Sequence, residues 1–335
     1  MSHKRVLILK NDRTGDLFVS LNAINKIINK HKNNHIDIFL STINHKFSFL
    51  FPRLEKKIFS MNLTIIEKIK IFFYFLSNRV LDVYILTPKN FYYYLPFIFR
   101  NVRFHGLTIK SLKSRPNNFL KKYLFKHIEL DRLNIKKRRS SYDIQSDLID
   151  CKSIDNFLNK SYLSDSFFTF PKSYVYFHYK LNLFKNLLKW DLEKICKFLQ
   201  IISNKYDNVL FSSEFNNLDI NKFFSNKFNT FDFDTKKKIS VNTKNIFFLK
   251  NIDGYDLYDA VRKSSKIISP EGIITHMGYY LNKQILALMH FNLNNRQDFI
   301  NQIISCKEWF PPKDYQFIVL KKDFNQSIAK LLKRI

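Results

Sequence analysis

The apolar run Val6-Leu7-Ile8-Leu9 leads into the polar turn Asn11-Asp12-Arg13-Thr14-Gly15-Asp16, after which Leu17, Leu21, Ile24, Ile27 and Ile28 recur at helical spacing. A short apolar run followed by that period predicts a buried strand, a tight turn, and a helix that begins near Gly15 or Asp16. Strand, turn and helix start together form the commonest ligand-binding corner of an α/β sheet, with the turn facing the crevice at the strand's carboxyl end. Asp16 has two readings there. Asp is a favoured helix N-cap, worth about 1 kcal/mol, and a carboxylate at such a crevice is also placed for chemistry.

The rest of the chain extends the alternation. Ile36–Leu40, Asp82–Leu86 and Val102–Gly106 read as strands, and Ile65–Ser77 as a helix. Strands separated by helices predict a parallel, doubly wound sheet. Thr108–Ser141 is basic, aromatic and weak in periodicity, so it reads as irregular or loosely helical, and a helix is expected from Ser141 to about Leu158. Pro171 precedes a new strand at Tyr174–His178, which places a domain boundary near residue 168. The alternation then repeats: helix Leu192–Ser203, strands Asn208–Phe211 and Ile246–Leu249, a short helix Leu257–Arg262, and a strand at Ile267-Ile268. A helix from His276 to about Leu281, the apolar run Ile285–Met289, an edge strand Phe317–Leu320 and a closing helix over 324–335 complete it. Two domains follow, 1–168 and 169–335, as the length of 335 residues allows.

Composition is that of a folded protein, 45% hydrophobic and 25% charged. Five glycines are few, since ordinary usage would give roughly 23. The net charge of +28 points to an anionic partner, a membrane surface or nucleic acid. No nucleic-acid module is present in the sequence, so nucleic acid is not the expected partner. Cys151, Cys196 and Cys306 are isolated and odd in number, which predicts a reducing compartment, and none has metal-site spacing. The amino terminus reads as a strand and a charged turn, so no secretory leader is expected. The longest apolar runs, Ile71–Leu76 and Phe91–Phe99, are far short of the roughly 20 residues that span a bilayer. A cytoplasmic location is expected.

A second strand–turn–helix corner lies at Ile267-Ile268-Ser269-Pro270-Glu271-Gly272-Ile273-Ile274-Thr275-His276-Met277-Gly278. Backbone N–H groups at such a turn suit a diphosphate. A carboxylate beside it would repel phosphate, so Glu271 is better suited to sugar hydroxyls, with Thr275 and His276 as phosphate donors. The plain alternative makes Thr275 an N-cap and His276 a satisfied polar residue beside the sheet.

The two corners together resemble glycosyltransferase family 9, the heptosyltransferase-like enzymes. Asp12-Arg13-Thr14-Gly15-Asp16-Leu17 is similar to the family's opening Gly-Asp signature, and Pro270-Glu271-Gly272-Ile273-Ile274-Thr275-His276 to its donor-binding Pro-Asp-Ser-Gly-x-x-His motif. Leu81-Asp82-Val83 resembles its Tyr-Asp strand, Arg103-Phe104-His105-Gly106 its Arg-x-Gly segment, and Lys189-Trp190 its Lys-Arg-Trp element. The order is the family's, across nearly the whole chain. The resemblance implies a GT-B fold of two Rossmann-like domains facing a cleft, the acceptor bound by the first and a nucleotide-sugar by the second. It implies inverting transfer of heptose or a similar sugar to a lipopolysaccharide-type or other surface glycan, without a metal or a cofactor beyond an ADP-heptose-like donor.

By position, Asp16 is the implied general base and Arg13, Thr14 and Gly15 lie on the acceptor side. Glu271, Gly272, Thr275 and His276 belong to the donor site, together with Glu214 and Lys185. The sequence departs from the family pattern at Glu271, usually Asp, and at Ile273, usually Gly. The loop Tyr179–Lys185 after the first strand of the second half also lacks glycine. That loop favours an alternative reading, a non-catalytic relative that binds glycan or membrane. A glycolipid acceptor would place the protein on the inner face of the cytoplasmic membrane. The basic segment with Arg132, Lys136, Lys137, Arg138 and Arg139 is the expected contact, joined by Phe119, Tyr123 and Phe125.

Overall fold

The computed structural model describes residues 4–111, 116–134, 139–151, 169–214, 218–241, 245–291, 300, 302, 306, 308–310 and 315–335. The chain divides into two compact units, Met1–Ser164 with Ile303–Trp309, and Asp165–Gln302 with Phe310–Ile335. The boundary expected near residue 168 lies outside the described residues, and the helix expected over Ser141–Leu158 ends already at Asp147, with the part beyond Cys151 outside the described residues.

The first unit is built from β1 (Arg5–Lys10), α1 (Thr14–Val19), α2 (Leu21–Lys30), β2 (His35–Ser41), β3 (Glu55–Phe59), α3 (Ile65–Ser77), β4 (Val80–Ile85), α4 (Asn90–Ile98), β5 (Arg103–Lys110), α5 (Asn118–Lys121), β6 (Lys126–Asp131) and α6 (Ser141–Asp147). All six strands are parallel, in the order β3-β2-β1-β4-β5-β6. The doubly wound order reverses at β1, so the crevice between the carboxyl ends of β1 and β4 is the topological switch point, where such sheets bind ligands. The α3 helix starts where its sequence requires. Thr64 Oγ1 accepts the Glu67 N–H at 3.2 Å while Glu67 accepts the Thr64 N–H at 2.8 Å, a reciprocal cap.

Two expectations are corrected here. The segment Thr108–Ser141 is not simply irregular, because it contains the end of β5, the short α5 and the edge strand β6. In β6 the polar Lys126, His127, Glu129 and Asp131 surround only Ile128 and Leu130, as suits a strand paired on one side. The first helix also begins earlier than expected, with Arg13 as N-cap and no side-chain cap bond. Asp16 is therefore the third helical residue and not the cap. A bend at Ser20 divides α1 from α2, where Ser20 N and Oγ both donate to the Asp16 carbonyl, at 3.2 and 2.9 Å.

The second unit contains β7 (Val175–Tyr179), a π-helical turn Asn182–Leu187, α7 (Leu192–Ser203), β8 (Val209–Ser213), α8 (Leu218–Lys227), β9 (Asn229–Asp232), β10 (Lys237–Ile239), β11 (Ile246–Lys250) and α9 (Gly254–Lys263). Then follow β12 (Lys266–Pro270), α10 (Ile273–Tyr280), β13 (Gln284–Met289), β14 (Tyr315–Val319) and α11 (Phe324–Leu332). Its sheet order is β10-β9-β11-β8-β7-β12-β13-β14, parallel except for the antiparallel β10 at one edge. The order reverses at β7, so this switch point lies between the carboxyl ends of β7 and β12. Trp190 is buried against Phe184, Phe198 and Phe324 and donates its indole N–H to the Lys322 carbonyl at 3.1 Å, tying the closing helix to the core. Each unit is by itself a Rossmann-like, doubly wound fold.

Candidate functional site

At the first switch point the chain leaves β1 through a buried polar network. Lys10, only 1% exposed, places Nζ 2.8 Å from Asp12 Oδ2. Asn11 donates to the Ser60 carbonyl at 3.0 Å and accepts from the Tyr92 hydroxyl at 2.6 Å. Ser41 Oγ donates to the Asp12 carbonyl at 2.6 Å, and Asn44 donates to that of Lys10 at 2.8 Å. Lys89, just past β4, crosses the switch point to donate to the Asn11 carbonyl at 2.7 Å and also to that of Met61. Burial pushes the Lys89 ammonium down to about 8, although the charges of Asp12 and Glu67 oppose the shift. The Asp12 carboxyl is raised, chiefly by burial and further by the negative charge of Asp16, with Lys10 pulling the other way.

The two carboxylates of this turn therefore differ. Asp12 is locked to Lys10 by the rigid network. Asp16 is half-buried, and its side chain accepts no hydrogen bond and joins no ion pair among the described residues. A general base must reach its substrate's proton, so Asp16 is the one of the pair free to act. Thr14 and Gly15 beside it are half-buried and Arg13 is exposed.

At the second switch point Glu271 and Gly272 join β12 to α10. Gly272 has φ 154° and ψ −158°, a backbone region essentially reserved for glycine. Thr275 holds that turn: its hydroxyl accepts the Gly272 N–H at 3.0 Å and donates to the Gly272 carbonyl at 2.7 Å. Thr275 is the third helical residue and not the N-cap, and its proton is committed to the backbone and not to a phosphate. The helix start instead offers the N–H groups of Ile273, Ile274 and Thr275, which have no acceptor within the helix. His276 is buried with Nε2 3.4 Å from Glu271 Oε1. Burial would raise the Glu271 carboxyl, but His276 and Lys180 hold it below the usual range.

Lys180, the first residue after β7, donates to the Glu271 carbonyl at 3.0 Å and so links the two sides of the switch point. Glu214, at the end of β8, accepts the Leu181 N–H at 2.9 Å and anchors the π-helical turn. Lys185, further along that turn, is exposed and without a partner among the described residues. His178 Nδ1 lies 2.9 Å from Ser212 Oγ. Burial and the Lys180 charge push this imidazole down to about 3, so it is neutral. Lys10, Asp12, Lys89, His178 and Lys180 were not singled out in the sequence. All five are polar residues that end, or lie within a few residues of, an otherwise apolar strand run, which is the signal that marks them.

The remaining predicted residues lie elsewhere. Arg103 Nη2 meets Asp82 Oδ2 at 2.6 Å, and His105 Nε2 meets Asp82 Oδ1 at 2.9 Å. The Leu81–Val83 and Arg103–Gly106 segments are thus joined by ion pairs between neighbouring strands. Arg132 pairs with the buried Glu308, and Arg139 pairs with Asp147. Lys136, Lys137 and Arg138 lie outside the described residues. His35, Asp37 and Glu55 place possible metal ligands within 4.8 Å of one another at the amino ends of the strands. There Arg5 Nη1, 2.9 Å from Asp37 and 3.1 Å from Glu55, already supplies the positive charge.

No family model matches the chain, and no curated protein matches it in sequence. Solved structures do match. The glycosyl transferase family 9 protein from Veillonella parvula superposes with TM-score 0.60 at 14% identity, covering 100% of this chain and 90% of that one. The ADP-heptose lps heptosyltransferase II of E. coli gives 0.62 at 11% identity, covering 98% and 99%. The UDP-GlcNAc 2-epimerase of Methanocaldococcus jannaschii gives 0.53 at 12% identity, covering 98% and 92%. At such identities the likeness is one of fold.

Proposed function

We propose that this chain is a glycosyltransferase that moves a sugar from a nucleotide-sugar to a glycan acceptor, with the acceptor on the first unit and the donor on the second. The observation that carries the reading is the unpartnered Asp16 carboxylate at the first switch point, in a chain whose whole length follows the fold of family 9 and heptosyltransferase structures. The three neighbours named above act on nucleotide-activated sugars or belong to a sugar-transfer family, which supports the donor class. The higher TM-scores of the two transferase structures favour transfer over epimerisation.

In the proposed reaction the acceptor hydroxyl oxygen attacks the anomeric carbon while Asp16 takes its proton. The bond from that carbon to the phosphate oxygen breaks, and the nucleoside diphosphate leaves with the electron pair. Attack opposite the leaving group inverts the anomeric centre. Lys180 and the open N–H groups of α10 would take up charge on the diphosphate, and Glu271 would accept from sugar hydroxyls. We assign the donor as ADP-heptose or a similar nucleotide-sugar, the acceptor as a lipopolysaccharide-type glycan, and the chemistry as independent of metal.

The test is Asp16→Asn in a transfer assay that follows release of ADP from ADP-heptose in the presence of acceptor. A positioned base contributes on the order of 10²–10⁴ in rate, so turnover should fall by that factor while donor affinity is retained. The fold should survive, because Asp16 does not cap its helix. Near-normal turnover by the Asn variant ends the assignment. Consumption of the nucleotide-sugar without acceptor, with the sugar's configuration changed, would identify an epimerase instead.

A further inference from the structure

The α3 helix is apolar on both sides. Ile71, Tyr74 and Phe75 point into the core of the first unit. Ile65, Ile66, Ile69, Phe73 and Leu76 are between 49% and 74% exposed. At about 100° per residue these five fall within one arc, opposite the core-facing three. Lys68 and Lys70 flank the arc on its two sides, while the helix's acid, Glu67, is turned back to the Ser60 and Thr64 amides. An ordinary surface helix has polar residues where α3 has this stripe.

The stripe continues onto neighbouring elements. The inner residues of α3, α4 and α5 share one hydrophobic core, so these elements cover the same face of the sheet. On the outside, α4 exposes Tyr94, Phe97 and Ile98, and the α5 turn exposes Phe119. Phe97 lies 5.2 Å from Tyr123 and 6.2 Å from Phe119, and Phe72 of α3 lies 5.2 Å from Phe99 at the end of α4. Cations are interleaved with the rings. The Arg100 guanidinium is 5.7 Å from the Phe97 ring and 5.6 Å from that of Tyr123, and Lys122 Nζ is 4.3 Å from that of Phe119.

We propose that this face, the outer side of α3 with α4 and α5, docks the protein on an anionic lipid bilayer. The occupant must take up several aliphatic and aromatic side chains and at the same time accept a ring of positive charge. A second copy of the same face would bring Lys68, Lys70, Arg100 and Lys122 against themselves. The headgroup and acyl boundary of an anionic leaflet meets both demands, with rings at the interface and cations reaching to phosphate. The chain's net charge of +28 has the sign required. The proposed docking face does not draw on Arg132 or Arg139, which are ion-paired within the unit. The inference is independent of the donor site and of catalysis.

The experiment is co-sedimentation with vesicles of phosphatidylcholine alone and of phosphatidylcholine containing phosphatidylglycerol. The parent should bind the mixed vesicles and be partly released by salt, as Debye screening requires. The variant Ile69→Ser/Phe73→Ser/Leu76→Ser should lose at least tenfold in binding at any salt. Each Lys or Arg near an anionic surface is worth roughly fivefold in binding. Lys68→Glu/Lys70→Glu/Arg100→Glu/Lys122→Glu should therefore lose two orders of magnitude or more. Thermal melting should be unchanged in both, and the single change Ile66→Ser keeps the test valid if a multiple variant does not fold. Unaltered binding by either multiple variant overturns the proposal. So does a parent that ignores vesicles, whether it stays monomeric or forms a dimer that the Ser variant dissolves.

Discussion

Gly272→Ala tests the geometry of the proposed donor corner directly. Gly272 has φ 154° and ψ −158°, a conformation that costs a residue with a side chain about 1–3 kcal/mol. The new methyl would meet only Lys180 Nζ, at 3.6 Å, which is ordinary contact, so steric clash adds nothing. Alanine also restricts the unfolded chain, which returns about 0.4–1 kcal/mol. The net loss is then about 1.3 kcal/mol, and for a domain of this size the melting temperature should fall by about 3–5 °C. If the backbone relaxes to escape the strain, the Thr275 hydroxyl loses its two contacts with Gly272 and the helix start shifts. In that case nucleotide-sugar affinity falls where stability does not. Thermal melting followed by circular dichroism and titration calorimetry with ADP-heptose separate the two costs. An alanine variant that melts at or above the parent's temperature and binds equally well would refute the reasoning, because the backbone at this turn would then not require glycine.

Glu271→Ala should weaken binding of a nucleotide-sugar much more than that of the bare nucleotide, whereas His276→Ala should weaken the nucleotide-sugar through loss of Glu271's partner. Equal loss of both ligands in the Glu271 variant, measured by calorimetry, would reduce Glu271 to a loop support. Lys89 predicts a pH signature. Its folded value of about 8 lies below the ordinary lysine value, which is about 10.4 in the unfolded chain. Between these limits the unfolded state binds more protons, so stability should rise with pH across that window and lose the contribution as pH falls through 8. Lys89→Met should flatten this alkaline limb in denaturant titrations, and a limb of unchanged slope would show that another group is responsible.

The strands and helices most legible in the sequence were those whose periodicity is set by burial. Ile65–Ser77 and Leu192–Ser203 emerge with the bounds their apolar spacing predicts, because a helix buried along one side repeats every third or fourth residue. The edge strands β3, β6 and β10 were not legible. Each is bordered by few buried neighbours, so Glu55-Lys56-Lys57 or Lys237-Lys238 carries a polar pattern that local sequence cannot distinguish from a loop. At the candidate site, Asp16, Glu271, Gly272 and His276 were legible from their position after a strand. Lys89 and Lys180 were not, because their importance comes from bonds to Asn11 and Glu271, 78 and 91 residues away in sequence. The Asp82–Arg103 pair was visible as two separate motifs, and only strand pairing shows them to be one contact. The outer stripe of α3 was hidden because an apolar helix is read as buried unless its environment is known.

The scarcity of glycine bears on how the proposed donor corner is assembled. A phosphate-binding loop commonly brings backbone N–H groups close to its ligand through glycines, which have no side chain to obstruct the approach. The stretch after β7 has none, and its backbone instead forms a π-helical turn fixed by Glu214 on the Leu181 N–H. That turn cannot provide the open concavity of a glycine-rich loop. It does place Lys180 at the Glu271 carbonyl, with an ammonium directed to the one glycine turn that the corner retains. On the proposed function, positive charge on a side chain takes over part of what backbone amides would supply. A diphosphate accepts from an ammonium as readily as from amides, but the contact is more sensitive to salt. On the same reading, Lys180 supplies charge on one side of the switch point, whereas on the other the backbone of Gly272, one of five glycines, is taken up by a residue with a side chain only under strain.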